Sequence, residues 1–440
     1  MMRSLFAAVS GLRAHQTRMD VIGNNVANVN TPGFKSSRAT FQEVFSQTLR
    51  GASSPSEMSM TERGGMNPMQ VGLGVTTGSV DVNHNSGNLQ PTSRMADVAI
   101  EGKGFFVVRD GQTNAYTRVG AFDTDGDGVL VDSEGRKVLG WTPETGQITL
   151  PADKTASNLG PIRIAIGSNM TASATANIYW DKNLDAETPL NVEKTVPITV
   201  YDSLGIEHTV EIILQKAEAP APALPDTPVP NTWDWRVEID GNPATTLGSG
   251  RLVFNADGTL NEVQQITAAG PPPVWGNWAS PSFTYDLTNG ANDLDVRLHF
   301  GAVTQVAGPS SLDAGMIDGW PTGTLESYTF DAKGIISGFY SNGQTRILGQ
   351  IAIANFANPG GLQKSGKSLF VDSNNSGLPD IGEAGTAGRG TVAPSSLEMS
   401  NVDLAEEFTQ MIITQRGFQA NSRIITVSDE LLQELVSLKR

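Results

Sequence analysis

"LFAAVSGLRAHQTRMDVIGNNVANV", residues Leu5 to Val29, decides how the ends of this chain fold. Leu5, Leu12, Met19 and Val26 recur every seven residues, and Ala8, His15, Ile22 and Val29 follow each of them by three. That is the a/d spacing of a helix of period 3.5, whose narrow apolar seam needs a partner. In "NVNTPGF" Pro32 and Gly33 end the helix with a turn. At the far end, "SNVD" (Ser400 to Asp403) has capping-box spacing and predicts a second long helix. There Leu404, Met411, Phe418, Ile425 and Leu432 repeat every seven residues. Their companions Glu407, Thr414, Asn421 and Ser428 are polar, so the seam is narrow until Leu435 and Leu438, and Gly417 weakens it further. The two helices should run to about 40 Å and about 50 Å. Helices with such thin apolar stripes are poorly stable alone in water, so these are expected to pack on each other and on those of neighbouring copies.

The chain has 440 residues, 47 of them Gly and 24 Pro, a composition of short strands and tight turns. A formal net charge of −16 argues against nucleic acid or an anionic membrane as partner. With no cysteine, disulfides, iron–sulfur clusters, Cys-ligated zinc and a Cys nucleophile are excluded. No apolar run approaches the ~18 residues of a membrane span. The short apolar stretch Leu5–Leu12 is broken by Ser10 and Gly11 and lacks a convincing cleavage site, so it reads as mature protein rather than a signal peptide.

Between the ends the pattern is β. "DVAIEGKGFFVVRDGQTNAYTRVGAF" and "FDTDGDGVLVDSEGRKVLGW" offer short apolar strands around turns. "YTFDAKGIISGFYSNGQTRILGQIAIANF" repeats that character much later, with Phe330-Asp331 and "ILG" echoing Phe122-Asp123 and "VLG". Two similar hairpin units far apart predict one domain interrupted by an insertion. The insertion, with "PITVYDS", "HTVEIILQ", "WDWRVEIDG", "GRLVFNADG" and "DLDVRLHF", is itself strand-like and acidic, which suggests an outward-facing domain. Its Pro-rich stretch "EAPAPALPDTPVPN" reads as a stiff exposed excursion.

Three blocks, in order, carry a family resemblance: "MDVIGNNVANVNTPGFKSSR", "DVAIEGKGFFVV" and "LEMSNVDLAEEFTQMIITQRGFQANSRIITVSDELLQEL". They resemble the shared blocks of bacterial flagellar rod and hook axial proteins. The signature positions are Asn25, Asn28, Asn30, Thr31, Pro32 and Gly33 at one end, and Asn401, Asp403, Gln415, Arg416, Gln419 and Asn421 at the other. Distal rod members resemble the ends but are expected to be much shorter, and "SNGQTRILGQIAIANFANPGGL" is similar to hook members. The resemblance implies a structural subunit of the hook, exported through the flagellar apparatus without a cleaved signal peptide and lying outside the cell. It also implies a hook cap, distal rod and hook–filament junction proteins as partners beside the chain itself.

Two motifs compete with that reading. "GLQKSGKS" (Gly361 to Ser368) fits a P-loop, but Ser368 is followed by "LFVDSNNSGLPD", which leaves no room for the helix that should begin at Lys367. "DTDGDGVLVDSE" fits a calcium loop through Asp123, Asp125, Asp127 and Glu134, with Gly128 at the bend, and "DSNNSGLPDIGE" (Asp372 to Glu383) comes near it. Neither has the flanking helices of an EF-hand. Four scattered histidines (His15, His84, His208, His299) assemble no catalytic constellation, and the acidic residues fall in turns, where they cap backbone.

The sequence therefore predicts nested, discontinuous β domains with long α-helices at both termini forming a coiled-coil-like inner domain. The expected parts are terminal helices in 1–33 and 400–440, connecting segments in 34–70 and 359–399, a discontinuous β domain in 71–150 and 310–358, and an inserted β domain in 151–309. The expected function is a polymerising hook subunit, without enzyme activity or cofactor. The alternatives are a distal rod-type axial protein, or a secreted calcium-stabilised β-rich structural or adhesive protein. Polymerisation is assigned to Leu5, Leu12, Met19, Ile22, Val26, Leu404, Met411, Phe418, Ile425 and Leu432.

Overall fold

A computed structural model describes residues 2–54, 65–143, 150–151, 154, 156–218, 228–239, 247–268, 274–277, 280–287 and 290–437. Most of the Pro-rich stretch, and Leu438, lie outside the described residues. Among the described residues there are two helices, α1 (Met2–Ala27) and α2 (Leu404–Ser437), and the other elements are strands and two single 3₁₀ turns. No helix among the described residues is long and apolar enough to cross a membrane. The chain divides into two compact units. One comprises Met1–Ala165, Tyr328–Gly338 and Ile347–Arg440, the other Ile166–Ser327 and Phe339–Arg346.

In the first unit the two similar hairpin units meet. The strand Lys137–Trp141 pairs antiparallel with Thr345–Ile351, Gly140 opposite Ile351. On its other side it pairs with Phe105–Asp110, which forms a hairpin with Thr113–Thr117. Phe105, Val107, Tyr116, Leu139, Trp141, Phe356 and Phe370 form the core behind these strands.

Residues 359–399, expected as a connector, are instead woven into this unit. Leu369–Val371 pairs with Thr113–Thr117, Asp380–Gly382 with Ile353–Asn355, Thr391–Pro394 with Val98–Glu101, and Ser396–Glu398 with Leu89–Pro91. Each strand is only three or four residues long, too short to print a period of two in the sequence. Ser37–Glu43, in the other expected connector, pairs with Val75–Val82 along its whole length.

The second unit closes around its own core. Six consecutive antiparallel strands run from Lys194–Tyr201 to Val274–Asn277. Pro197 sits in the edge strand, the position in a sheet where a residue without an N–H is tolerated. A second sheet orders Ser282–Tyr285, Leu294–Val306, Asn177–Asp185 and Asp313–Ile317, its central pair parallel. Trp180, Trp233, Trp235 and Phe300 are buried together between them. Because Asp313–Ile317 pairs with Asn177–Asp185, the chain beyond residue 309 stays with this unit until Ser327.

One turn recurs through both units. At Asp125, Asp132, Asp202 and Asp331 the carboxylate Oδ1 accepts the N–H groups two and four residues ahead. The glycine three residues on, Gly128, Gly135, Gly205 or Gly334, takes a positive φ of 73–85°, which a side chain would strain.

Candidate assembly interface and the ion cluster behind it

The helices α1 and α2 run antiparallel. Asn25 Nδ2 donates to Glu407 Oε1 at 2.8 Å, Arg18 bonds Gln410, His15 lies on Gly417, and Asn421 lies on Gly11. A Cβ at Gly11 would sit 2.8 Å from the Asn421 amide, and one at Gly417 2.6 Å from the His15 ring. The glycine that weakens the seam in sequence is thus what lets the helices close. The contact is centred mainly on small and polar residues: Ala8, Gly11, Ala14 and Asn25 are buried on α1, together with Ile22, which does sit in the seam as assigned. On α2, Thr414 is 0% and Ser428 6% exposed.

This shifts the expected seam by part of a turn. Leu404 and Phe418, assigned to it, are 40% and 42% exposed. Leu5, Leu12, Met19, Val26, Met411, Ile425 and Leu432 are half-buried beside the contact rather than at its centre. Large apolar residues remain open on both flanks of α2. On one side are Leu404, Phe408, Ile412 and Phe418, and on the other Ile413, Ile424, Val427 and Leu431. In heptad terms the polar companions point at α1 and the apolar positions to either side of them.

The signature residues explain how the helices are tied to the β structure. Asn25, 1% exposed, also donates to the Ser37 carbonyl at 2.8 Å and accepts the Ser37 N–H at 2.9 Å. Asn28 and Thr31 make local bonds, with Asn28 Nδ2 donating to the Asn24 carbonyl and the Thr31 hydroxyl to Asn28 Oδ1. Gly33 has φ +66° and a Cβ there would strike the Val119 backbone. Its N–H donates to the Glu398 carbonyl at 2.7 Å. Asn401 accepts from Ser36 N–H and donates to the Asn83 and Asn85 carbonyls. The cap of α2 is Asp403 rather than Ser400, its Oδ1 accepting the Ala405 N–H at 2.8 Å. Asn30, Gln415, Arg416 and Gln419 stay exposed, and Pro32 is half-buried.

Sequence reasoning missed the charged residues beneath. Lys35 and Glu398 have fully buried side chains and meet at 2.6 Å; Arg118, 3% exposed, reaches the other Glu398 oxygen at 3.1 Å. Lys35 also donates to the Asn85 carbonyl and Arg118 to that of Gly102. Burial pulls the Lys35 and Arg118 pKa values down, against the pull of Glu398. Burial raises that of Glu407. The signal lay inside the quoted blocks, as one Lys after "TPGF" and one Glu before "MSNVD", but nothing in the sequence pairs positions so far apart.

The two competing motifs resolve as turns. Gln363–Gly366 and Leu369–Val371 form a hairpin whose two loop residues, Lys367 and Ser368, both have positive φ, the backbone of a type I′ turn. Lys367 pairs with Glu134. The calcium candidates are not brought together: Asp123 pairs with Arg94, Glu134 with Lys367, and Asp125 caps its own turn. The Asp127 carbonyl accepts from Arg163. In the second loop Asp380 pairs with Arg389 and Glu383 with Lys154. Among the described residues no group of three or more His, Cys, Asp or Glu is placed to hold a metal ion.

Known proteins match this layout segment by segment. Residues 5–35 match the flagella basal body rod protein family, and 99–168 the flagellar hook protein FlgE/F/G D1 domain. Residues 169–320 match the flagellar basal body protein FlaE D2 domain, and 393–438 the flagellar basal body rod FlgEFG protein C-terminal family. The D2 match nearly coincides with the second compact unit. The chain is 43% identical to the flagellar hook protein FlgE of Borreliella burgdorferi over the full length of both, and 32% identical to that of Salmonella typhimurium over 99% of this chain and 100% of that protein. A flagellar basal-body rod protein FlgG of Bacillus subtilis is 29% identical over the full length of both. Length therefore does not separate rod from hook members as expected; the relatives at 43% and 32% identity are hook proteins. The crystal structure of Helicobacter pylori flagellar hook protein FlgE2 shares the fold, with a TM-score of 0.50 at 15% identity, covering 70% of this chain and all of that one. On this sequence identity over its whole length, the chain belongs to the flagellar hook protein FlgE family and is a structural subunit of the flagellar hook.

Proposed function

We propose that the chain polymerises through its terminal helices into a hollow helical tube that joins rod to filament, bends as it turns, and transmits torque. The observation that carries this reading is the pair of apolar flanks on α2. A helix that needed only α1 would bury its large apolar residues against it. Here α1 takes the small, polar centre, and Phe408, Ile412 and Phe418 on one side and Ile413, Ile424, Val427 and Leu431 on the other are left half exposed. Covering both flanks takes a neighbour on each side, and contacts between unlike faces produce an open helical polymer. Burial at about 25 cal/mol per Å² then becomes available only on assembly.

Two further features fit. The hairpin Ser46–Arg50 and Met69–Gly72 is exposed at every residue and carries Leu49, Met69 and Val71 outward. An isolated two-stranded hairpin is marginal in water, so it too is assigned to contact between copies. The chain would leave the cell unfolded through the flagellar export apparatus, where the lack of cysteine avoids premature cross-links. Its partners would be the hook cap, the distal rod and the hook–filament junction proteins, its place extracellular, and its role free of catalysis.

Electron microscopy of the full chain in a salting-out buffer, beside the triple variant I413S/I424S/L431S, tests this. Tubes from the parent alone support the reading; tubes from both in equal amount would overturn it.

A further inference from the structure

The two points where the chain passes between helices and β structure lie at one residue. Glu398 precedes α2, and its carbonyl holds Gly33, just after α1. Its carboxylate receives Lys35 at 2.6 Å, Arg118 at 3.1 Å and the Gly87 N–H at 2.8 Å. Two cations share one carboxylate out of reach of water, so removing that carboxylate would strand both.

Against this cluster lies His84, on the same segment as Asn85 and Gly87. Its ring packs on Phe105 and Phe370, at centroid distances of 5.8 Å and 5.4 Å. Both ring nitrogens are sealed from solvent and neither has a hydrogen-bond partner. The charged groups facing it are Lys35, Arg118 and Lys364. The only carboxylate of the cluster, Glu398, is already shared by Lys35 and Arg118, and Lys364 is turned to the Lys35 carbonyl and the Ser37 hydroxyl. A proton on His84 would place a further positive charge beside three others, with no acceptor to receive it.

We propose that the Lys35–Glu398–Arg118 cluster is the pin fixing the helical hairpin to the β structure, and that His84, wedged unpaired among its cations, is where acid releases it. Burial and the three cations hold the His84 pKa down at about 4, against 6.5 for a free side chain. The unfolded chain therefore takes up a proton below pH 6.5 that the folded chain refuses until about pH 4. Stability from this group is intact above pH 6.5 and is lost as pH falls through that window.

Urea denaturation of the full chain and its H84F variant, at pH 7.5 and pH 4.5, measures the effect. With allowance for partial solvent screening, the parent's folding equilibrium constant should fall about 30-fold more than the variant's between the two pH values. Equal falls would overturn the proposal. Pepsin at pH 4.5 supplies the second reading. It should cut the parent within residues 28–36 or 399–403 before it cuts the second unit, and spare those sites in H84F; equal cutting there contradicts release at the pin. If H84F fails to fold, histidine NMR of the parent decides. A His84 ring still neutral at pH 5 supports the account, and one titrating above pH 6 overturns it.

Discussion

The second unit and the helical hairpin solve the burial problem in opposite ways. In the second unit Trp180, Trp233, Trp235 and Phe300 are all 2% exposed or less, and the chain supplies every face of that core. In the hairpin the buried centre is Gly11, Asn25, Thr414 and Ser428, while Phe408, Ile413 and Leu431 look outward. The difference teaches where assembly lives. A domain that fills its own core is stable as a monomer; a hairpin that buries small residues and displays large ones has its core divided among copies.

The contrast can be broken at several points. The largest effect should come from W180A, which empties a core position in the second unit and should cost about 3–5 kcal/mol in urea denaturation while leaving tube formation intact once the chain is folded. E398Q should cost a similar or slightly smaller amount, about 3–4 kcal/mol, because Lys35 and Arg118 lose their only carboxylate. G11V forces a side chain into the Asn421 amide and should cost about 1–3 kcal/mol, seen as loss of helical circular dichroism at lower urea. The smallest change in the monomer should follow I424S/L431S, within about 0.5 kcal/mol of the parent, yet that pair should suppress tubes. A large monomer effect from it would mean that these residues serve the hairpin rather than its neighbours.

The sequence revealed the helices and hid their contact. Heptads are detected by large apolar residues, and here those residues mark the flanks; the centre, at Glu407, Thr414, Asn421 and Ser428, looked like weakness because close packing of helices uses small and polar side chains. The hairpin turns were legible because Asp at the first position and Gly at the fourth are each required by backbone geometry. Residues 359–399 looked like a connector because strands such as Asp380–Gly382 and Ser396–Glu398 carry no period. The Lys35–Glu398–Arg118 cluster was invisible for a simpler reason. A salt bridge leaves no local pattern, and its members belong to three segments that only the fold brings together.

The most direct measurement uses the chain's lack of cysteine. Cysteines placed at Phe408 and Ile424, which point to opposite flanks of α2 about 160° apart around the helix, are separated by about 24 Å along it, beyond the span of a short bis-maleimide. Treated in the polymer, the F408C/I424C chain should give a ladder of covalent oligomers well past the dimer, and each single variant should stop at the dimer or below. A polymer in which the double variant yields no species larger than one chain would contradict assembly through the two flanks.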